Sequence, residues 1–470
     1  MTSATRKRLI ALLLPASTLA ACSMAPTYVA PAPAVPASWP VGDVYLAQSE
    51  AGLPLVSYKE IFRDPRLQTL IGKALANNRN LRAAAADVAA ARAQIRVVRA
   101  NQFPAVDTAA SVFRVDQGGG AGGDGWSYSA QGGVSSFELD LFGKLANATQ
   151  AQRDAALSTD AAARTVRLGL VADLALAWAT YAADRDLLSI AQSTVANAED
   201  SVRLTRARLE GGIAPRTDLS QSLQILETAK GDVASQKTAL AQDINAIRLL
   251  VGTDFDQGLL PRGIQQVNDG LAVLPAGTSS DVLLRRPDVV SAEYDLRAAN
   301  ADIGVARAQL FPSISLTGLL GFASDALSSL FDSGSFATTV GADASWSIFN
   351  AGGKAADVNV AKAQRDAALA TYEEAIQTAF REVADALADQ GTLAERLRAA
   401  EAYTDAAKDT ARLTEATYRQ GIASSLDNLD AQRSLYTARR SEVAVRLQAA
   451  ANRITLYRVL GGDQATALQE

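Results

Sequence analysis

The sequence predicts a mainly α-helical fold built twice in tandem, each copy carrying one β-hairpin. Three observations support this. Two very long helical stretches, Lys144 to Gly252 and Lys354 to Leu460, are each folded once at a Gly-containing turn. At 1.5 Å per residue the longer arm of each reaches roughly 100 Å and the shorter roughly 50 Å, so such rods must pack side by side. The second observation is repetition. Phe103-Pro104 recurs as Phe311-Pro312, and Gln152 to Leu157 recurs identically at Gln364 to Leu369. Gly212-Ile213-Ala214 recurs at Gly421-Ile422-Ala423, Asp218 matches Asp427, and Val251-Gly252 matches Leu460-Gly461. Alanine bias makes one match cheap, but an ordered series at nearly one offset marks a duplication. The third observation is a switch to period-two alternation after each Phe-Pro.

Composition narrows the function classes. The chain has 470 residues, 48% of them hydrophobic, with no histidine and a single cysteine, Cys22. A His- or Cys-based metal site, a Ser-His-Asp triad and an intramolecular disulfide are thereby disfavoured. The net charge is −5, and more negative once Arg6, Lys7 and Arg8 are removed, which argues against nucleic acid as a partner. Residues 1–21 have the layout of a secretory leader, with a basic start, the apolar run Leu9 to Leu14 and then small residues. The run is too short to span a bilayer permanently. Leu19-Ala20-Ala21-Cys22 resembles a bacterial lipobox, whose Cys carries an N-acyl diacylglycerol group including palmitate; an ordinary leader with an incidental Cys is the alternative. Ser23 follows, without the Asp familiar from inner-membrane retention. Residues 22–63, with Pro26, Pro31, Pro33, Pro36 and Pro40, read as an extended tether.

Repeat one, 64–252, opens at Asp64-Pro65, proline being compatible with a helix start, and runs helically to about Asn101. The hairpin covers 103–142, with strands at Ala105–Val115 and Trp126–Phe142 around the Gly-rich loop 116–125. A long helix at 143–210, a turn at 211–217 and a helix at 218–250 complete the copy. A connector, 253–281, precedes repeat two, 282–461. There the hairpin is expected at 311–350, the long helix at 353–420, the turn at 421–425 and the last helix at 426–460, with a polar tail after it. In the second hairpin Ile314, Leu316, Leu320 and Phe322 alternate with Ser313, Ser315 and Thr317, and Val340, Ala342, Ala344, Trp346 and Ile348 alternate with Thr339, Gly341, Asp343, Ser345 and Ser347. A half-buried soluble sheet gives this pattern, and so does an outer-membrane barrel with an apolar lipid face and a polar lumen. Four strands cannot close a barrel, whereas three chains supply twelve. In the rods, Leu174, Tyr181, Leu188, Val195, Val202 and Leu209 recur every seventh residue. Leu219, Leu226, Val233, Leu240 and Ile247 do likewise, as do Leu429, Tyr436, Val443, Ala450 and Tyr457. This is a coiled-coil period, which specifies packing and not function.

The blocks Leu274-Pro275-Ala276-Gly277, Ser280 to Val289 with its Arg285-Arg286-Pro287-Asp288 core, Ala299-Asn300-Ala301, Ile303-Gly304, Phe311-Pro312-Ser313-Ile314 and Ser136 to Gly143 carry a family likeness. With the repeated plan they make essentially the whole mature chain resemble the TolC-type outer-membrane factors, and most closely their lipoprotein branch, the NodT/OprM-like exit ducts. The resemblance implies a homotrimer with a 12-stranded outer-membrane β-barrel continuing into an α-helical periplasmic tunnel. It implies no enzymatic activity and no cofactor beyond the lipid on Cys22. The implied partners are outer-membrane lipid, a periplasmic adaptor (membrane fusion protein) and an inner-membrane pump of the RND type.

It also implies a gate at the periplasmic tip. Asp427 and Asp430, spaced i, i+3, share one helix face; alone, acids there are routine decoration favoured by the helix dipole. In the family two aspartates at these positions line the narrowest point, and three copies would form two rings favouring cations. Asp218 and Tyr418 match residues that tie helices together when the duct is closed, beside the turn glycines Gly212 and Gly421. Ala423 departs from the arginine some members carry, which leaves Arg216 or Arg419 as substitutes. A type I protein-secretion exit duct and, more remotely, a structural trimeric stalk are the alternatives.

Overall fold

The computed structural model describes residues 23–32, 35, 57–115, 125–272 and 280–462. The leader, Cys22, most of the Gly-rich loop and the tail after Gly462 lie outside this set. The main elements are α1 (Tyr58–Ile61), α2 (Pro65–Asn77), α3 (Arg79–Ala100), β1 (Asp107–Val115), β2 (Gly125–Glu138), α4 (Lys144–Glu210), α5 (Arg216–Val251), α6 (Ile264–Asp269), α7 (Pro287–Ala308), β3 (Ser313–Ser324), β4 (Phe336–Ser345), α8 (Gly353–Arg419) and α9 (Ser425–Val459). The chain divides into two compact units. One comprises Met1–Pro33, Ala86–Asp160 and Ser291–Glu374; the other comprises Ala34–Ala85, Ala161–Val290 and Ala375–Glu470.

The first unit holds all four strands in one antiparallel sheet, ordered β1-β2-β3-β4. Its register sorts the side chains by chemistry. Leu316 pairs with Ala342 and Phe137, Leu320 with Thr338 and Gly132, Phe322 with Phe336 and Ala130, and Ala130 in turn with Ala110. These pairs occupy one apolar face, since partners across a ladder share a side. The other face carries Ser111 against Ser129, Ser127 against Phe113, and the row Glu138, Ser315, Asp343. One irregularity, between Val134 and Phe137 of β2, interrupts the β2–β3 ladder. β1 and β4 are the sheet's two edges. Both second strands stop sooner than alternation predicts. Past Glu138 the ladder reduces to Leu139 donating to the Ile314 carbonyl (2.8 Å), and Trp346 and Ile348 lie beyond β4.

In the second unit the heptad residues face neighbouring helices. Leu174, Val202, Leu226, Ile247, Leu429, Val443, Ala450 and Tyr457 are all buried. α4 and α5 meet through Ala198, Val202 and Leu226, flanked by Val195, Leu219, Leu223 and Ile225. One window of α4 is apolar enough to cross a membrane by length and composition, yet 56% of it is buried inside the protein. Leu170, Val171, Leu174, Ala175, Trp178 and Ala179 there form helical core. No proline interrupts the 67 residues of α4 or of α8.

Two expectations need correction. The first helix is not continuous to Asn101. It breaks at Asn78 (φ −61°, ψ 132°), which ends α2 and starts α3. Asn78 Oδ1 accepts from Leu81 N (3.0 Å), an N-cap, while its Nδ2 donates to the Leu250 carbonyl at the end of α5 (2.8 Å). Nor does the tether extend to residue 63. Tyr58, Ile61 and Phe62 are buried, Phe62 bridges to Leu271, and its ring meets Tyr457 edge-on at 5.1 Å. Apolar residues that close to the Pro-rich stretch belong to the core. The connector lies against both α4 and α9. Trp178 Nε1 donates to the Leu259 carbonyl (3.0 Å), and Arg453 donates to the carbonyls of Asn268 (2.8 Å) and Leu271 (3.3 Å). Arg286, of the Arg-Arg-Pro-Asp block, is buried and bonded to Asp288 (2.6 Å), Glu382 (2.9 Å) and the Val459 carbonyl (3.0 Å).

Candidate gate at the paired helix turns

α4 and α8 end in the same way. Gly212 (φ 73°) and Gly421 (φ 78°) adopt the left-handed conformation that stops the helix. Gly212 N donates to the Leu209 carbonyl and Ile213 N to that of Arg208; Gly421 N donates to Tyr418 and Ile422 N to Thr417. Each is a Schellman motif, which glycine fits because it has no Cβ to strain at positive φ. The next residues, Ile213 and Ile422, are 81% and 73% exposed.

The last helix starts with a capping box. Asp427 N donates to Ser424 Oγ (3.1 Å), and Asp427 Oδ2 accepts from Ser424 N (3.3 Å) and Ser424 Oγ (2.7 Å). Asp427 therefore caps its own helix. Its carboxylate is nonetheless exposed, on the same face as Asp430, which sits 3.9 Å from Arg433 and is 70% exposed at the side chain. Asn428, next to Asp427, is buried.

Tyr418 is buried and joins the two copies. Its hydroxyl lies 3.2 Å from Thr205 Oγ1, which is 3.5 Å from Ser222 Oγ. The Arg208 guanidinium stacks 4.2 Å from the Tyr418 ring centroid and donates to its carbonyl (2.8 Å). The tie thus runs through Thr205, Ser222 and Arg208. Asp218 is half-buried in the first turn of α5, and its backbone carbonyl accepts from Ser222 Oγ (2.9 Å). Among the described residues no hydrogen bond joins its carboxylate to Tyr418. Of the two substitute cations, Arg419 pairs with Glu415 on its own helix and Arg216 is exposed. The sequence held a signal for the observed tie. Thr205 and Ser222 fall three residues after the heptad positions Val202 and Leu219, where Ala198 and Ala229 stand one heptad farther from the turn. A polar pair at one level of an apolar seam marks a joint.

Higher on the rods, Tyr436 of α9 donates from its hydroxyl to Asp232 of α5 (2.5 Å), with Arg440 over its ring at 5.4 Å. Burial, followed by this carboxylate, pushes the Tyr436 phenol up to about 12.

The sequence profile of the family described as "Outer membrane efflux protein" matches residues 70–253 and again 278–462. The chain belongs to the outer membrane efflux protein family. Among curated relatives, the antibiotic efflux pump outer membrane protein ArpC of Pseudomonas putida is 40% identical over 464 residues, 97% of this chain and 96% of that one. The outer membrane protein OprJ of Pseudomonas aeruginosa is 37% identical over 458 residues, covering 96% and 95%. Among solved structures, CusC superposes with a TM-score of 0.84 at 36% identity, over 94% of this chain and 100% of that one. The open state of the Neisseria gonorrhoeae MtrE outer membrane channel gives 0.84 at 32% identity, over 96% and 100%. This efflux protein is accordingly an outer-membrane exit channel and not an enzyme. Its two profile matches fall on the two copies read from the repeats.

Proposed function

We propose that this efflux protein works as a homotrimer, the outer-membrane exit duct of a tripartite assembly with a periplasmic adaptor and an inner-membrane pump of the RND type. The observation that supports the trimer is the four-stranded sheet with one apolar face, one polar face and two unpaired edges. Unpaired edges demand partners, and three copies in a ring complete a barrel of usual size. Cys22 then carries the N-acyl diacylglycerol anchor. In this reading solutes move through it passively, and relatives of similar length are named for antibiotic, toluene and cation efflux. A shared duct fits cargo selection by the other components.

In this reading Asp427 and Asp430 line the narrow periplasmic end, and three copies set six carboxylates around the path. Tyr418, backed by Thr205 and Arg208, and the turns at Gly212 and Gly421 hold the tip narrow. Asp218 supports it through its backbone. Opening untwists α8 and α9 against α4 and α5. The test is single-channel recording in a planar bilayer, with the mass of the assembly measured alongside. Asp427→Ala with Asp430→Ala is expected to raise conductance several-fold and to weaken cation preference. Unchanged conductance and preference would remove these residues from the gate, and a stable monomer without conductance would remove the barrel.

A further inference from the structure

The connection between β3 and β4, residues 325–335, is tied back on itself at the end of the sheet away from α7 and α8. It makes one 3-10 turn, Leu327–Ser329. Ser324 Oγ lies 2.6 Å from Ser329 Oγ, Ser335 Oγ donates to the Ser329 carbonyl (2.6 Å), and Ala323 N donates to the Ser335 carbonyl (2.8 Å). Leu330 is buried, whereas Leu327 is 64% and Phe331 72% exposed. Large apolar side chains held outward by a closed loop call for a partner.

The strand register tells on which side of the sheet that partner stands. Phe322 belongs to the apolar face, following Leu316 and Leu320 and lying opposite Phe336. The Phe331 ring meets Phe322 edge-on at 5.4 Å, and Phe336 meets it at 5.7 Å. Ser324, whose hydroxyl holds Ser329, lies two residues beyond Phe322 and shares its face. The loop therefore doubles back over the apolar face, and not over the polar one that carries Ser315 and Asp343.

Its height suits a membrane boundary. Trp346, just past β4, and Phe336, at the start of β4, are ten residues apart. Ten residues of extended chain cover about 34 Å, or about 26 Å of height at a tilt of about 40°. The apolar band of an outer-membrane barrel is about 25 Å tall, with aromatic residues at both rims. Trp346 marks one rim. At the other, Phe322, Phe331 and Phe336 are joined by Trp126 and Tyr128, stacked at 6.3 Å. Tyr128 pairs with Ser324, and Trp126 with Arg114, whose guanidinium lies 5.8 Å from the Trp126 ring centroid. A cation among aromatic rings fits the headgroup level. Asp325 and Asp332, both exposed, limit the depth, since carboxylates are costly in hydrocarbon.

We propose that the β3–β4 loop is a membrane-contact element whose Leu327 and Phe331 insert at the boundary between acyl chains and headgroups of the outer leaflet, on the outside of the barrel. This rests on the barrel reading given above. The competing cover is a neighbouring copy, whose β1 lies beside β4 in the proposed ring. The segment after β1, residues 116–124, is Asp-Gln-Gly-Gly-Gly-Ala-Gly-Gly-Asp. It offers an apolar surface little beyond the methyl of Ala121, so lipid is the better match. Folded outward, the loop leaves the mouth of the duct clear and fixes the edge strand β4 in the bilayer.

Spin labels placed singly on Leu327→Cys, Phe331→Cys, Ser333→Cys and Val340→Cys test this, in full-length protein in proteoliposomes with the assembly mass confirmed. Power saturation gives the ratio of collisions with oxygen, which enters acyl chains, to collisions with a water-soluble nickel chelate. The unaltered chain, labelled in parallel, supplies the background from Cys22. Val340, exposed on the apolar row of β4, reports the barrel wall, and Ser333, between Asp332 and Gly334, reports water. The ratio at 327 and 331 is expected to be at least fivefold above that at 333 and below that at 340. A ratio equal to that at 333 would overturn the proposal and return the loop to water. Few collisions with either probe would overturn it in favour of cover by the neighbouring copy. A water-like ratio at 340 would sink the barrel reading itself, and the proposal with it.

Discussion

Asp184 of α4 and Asp243 of α5 lie close enough to influence each other's ionisation, no cation is among the groups that shift either one, and Asp243 Oδ2 is buried without a hydrogen-bond partner among the described residues. Burial first, and then the charge of Asp184, pushes the Asp243 carboxyl up to about 6. A carboxyl whose folded pKa lies above its unfolded value stabilises the fold fully only below the unfolded value, and that contribution is lost as pH rises through the folded one. The sign is opposite to that of a salt-bridged carboxylate. Asp243→Asn removes the repulsion from Asp184 and the burial of a charge, so it is expected to stabilise the protein at pH 8. Discounted for partial exposure, the gain is roughly 1 kcal/mol. Thermal melts at pH 8 and pH 4 check this, and the difference should vanish at the lower pH. Nothing in the sequence announces this pair, because it depends on which faces of α4 and α5 meet. Asp427 is the opposite case, being legible both as an acid favoured by the helix dipole and as a match to Asp218 in the first copy.

At the scale of elements, α4, α5, α8 and α9 were legible because period and punctuation are local properties. Their heptads, the proline-free runs and the glycines at 212 and 421 all sit in the sequence itself. The break at Asn78 was not legible, since an Asn-Asn pair on a helix reads as polar surface until Leu250 is brought to it. The joint at Tyr418 was half legible: the tyrosine was evident, but Arg208 and Thr205 belong to a helix more than two hundred residues away. Asn78→Ala removes the cap of α3 and strands the Leu250 carbonyl together. It is expected to cost about 1–2 kcal/mol, seen as a lower unfolding midpoint. Asn78→Asp, which keeps the cap but loses the donor to Leu250, should recover about half.

For the whole molecule the governing fact is that a single chain presents two strand edges. β1 and β4 offer unpaired backbone groups that one copy cannot satisfy. Amide hydrogen exchange is therefore expected to be fast in β1 and β4 and slow in β2 and β3 for a chain kept monomeric in detergent. All four strands should be protected in the assembled form. Equal protection of the edges in both forms would mean that the sheet is complete without neighbours.

The order of the sheet has one more consequence. β2 belongs to the first copy and β3 to the second, so the junction between the copies is itself a strand pairing. In the proposed ring the contact between neighbouring chains, β4 to β1, is the same junction made without a covalent link. A half-length ancestor would have closed the same pore from six identical pieces, with one kind of seam. Gene fusion split that seam into two that evolve under different demands. The tethered one needs only to fold, whereas the untethered one must also recruit its neighbour, so substitutions there become visible to selection as lost assembly.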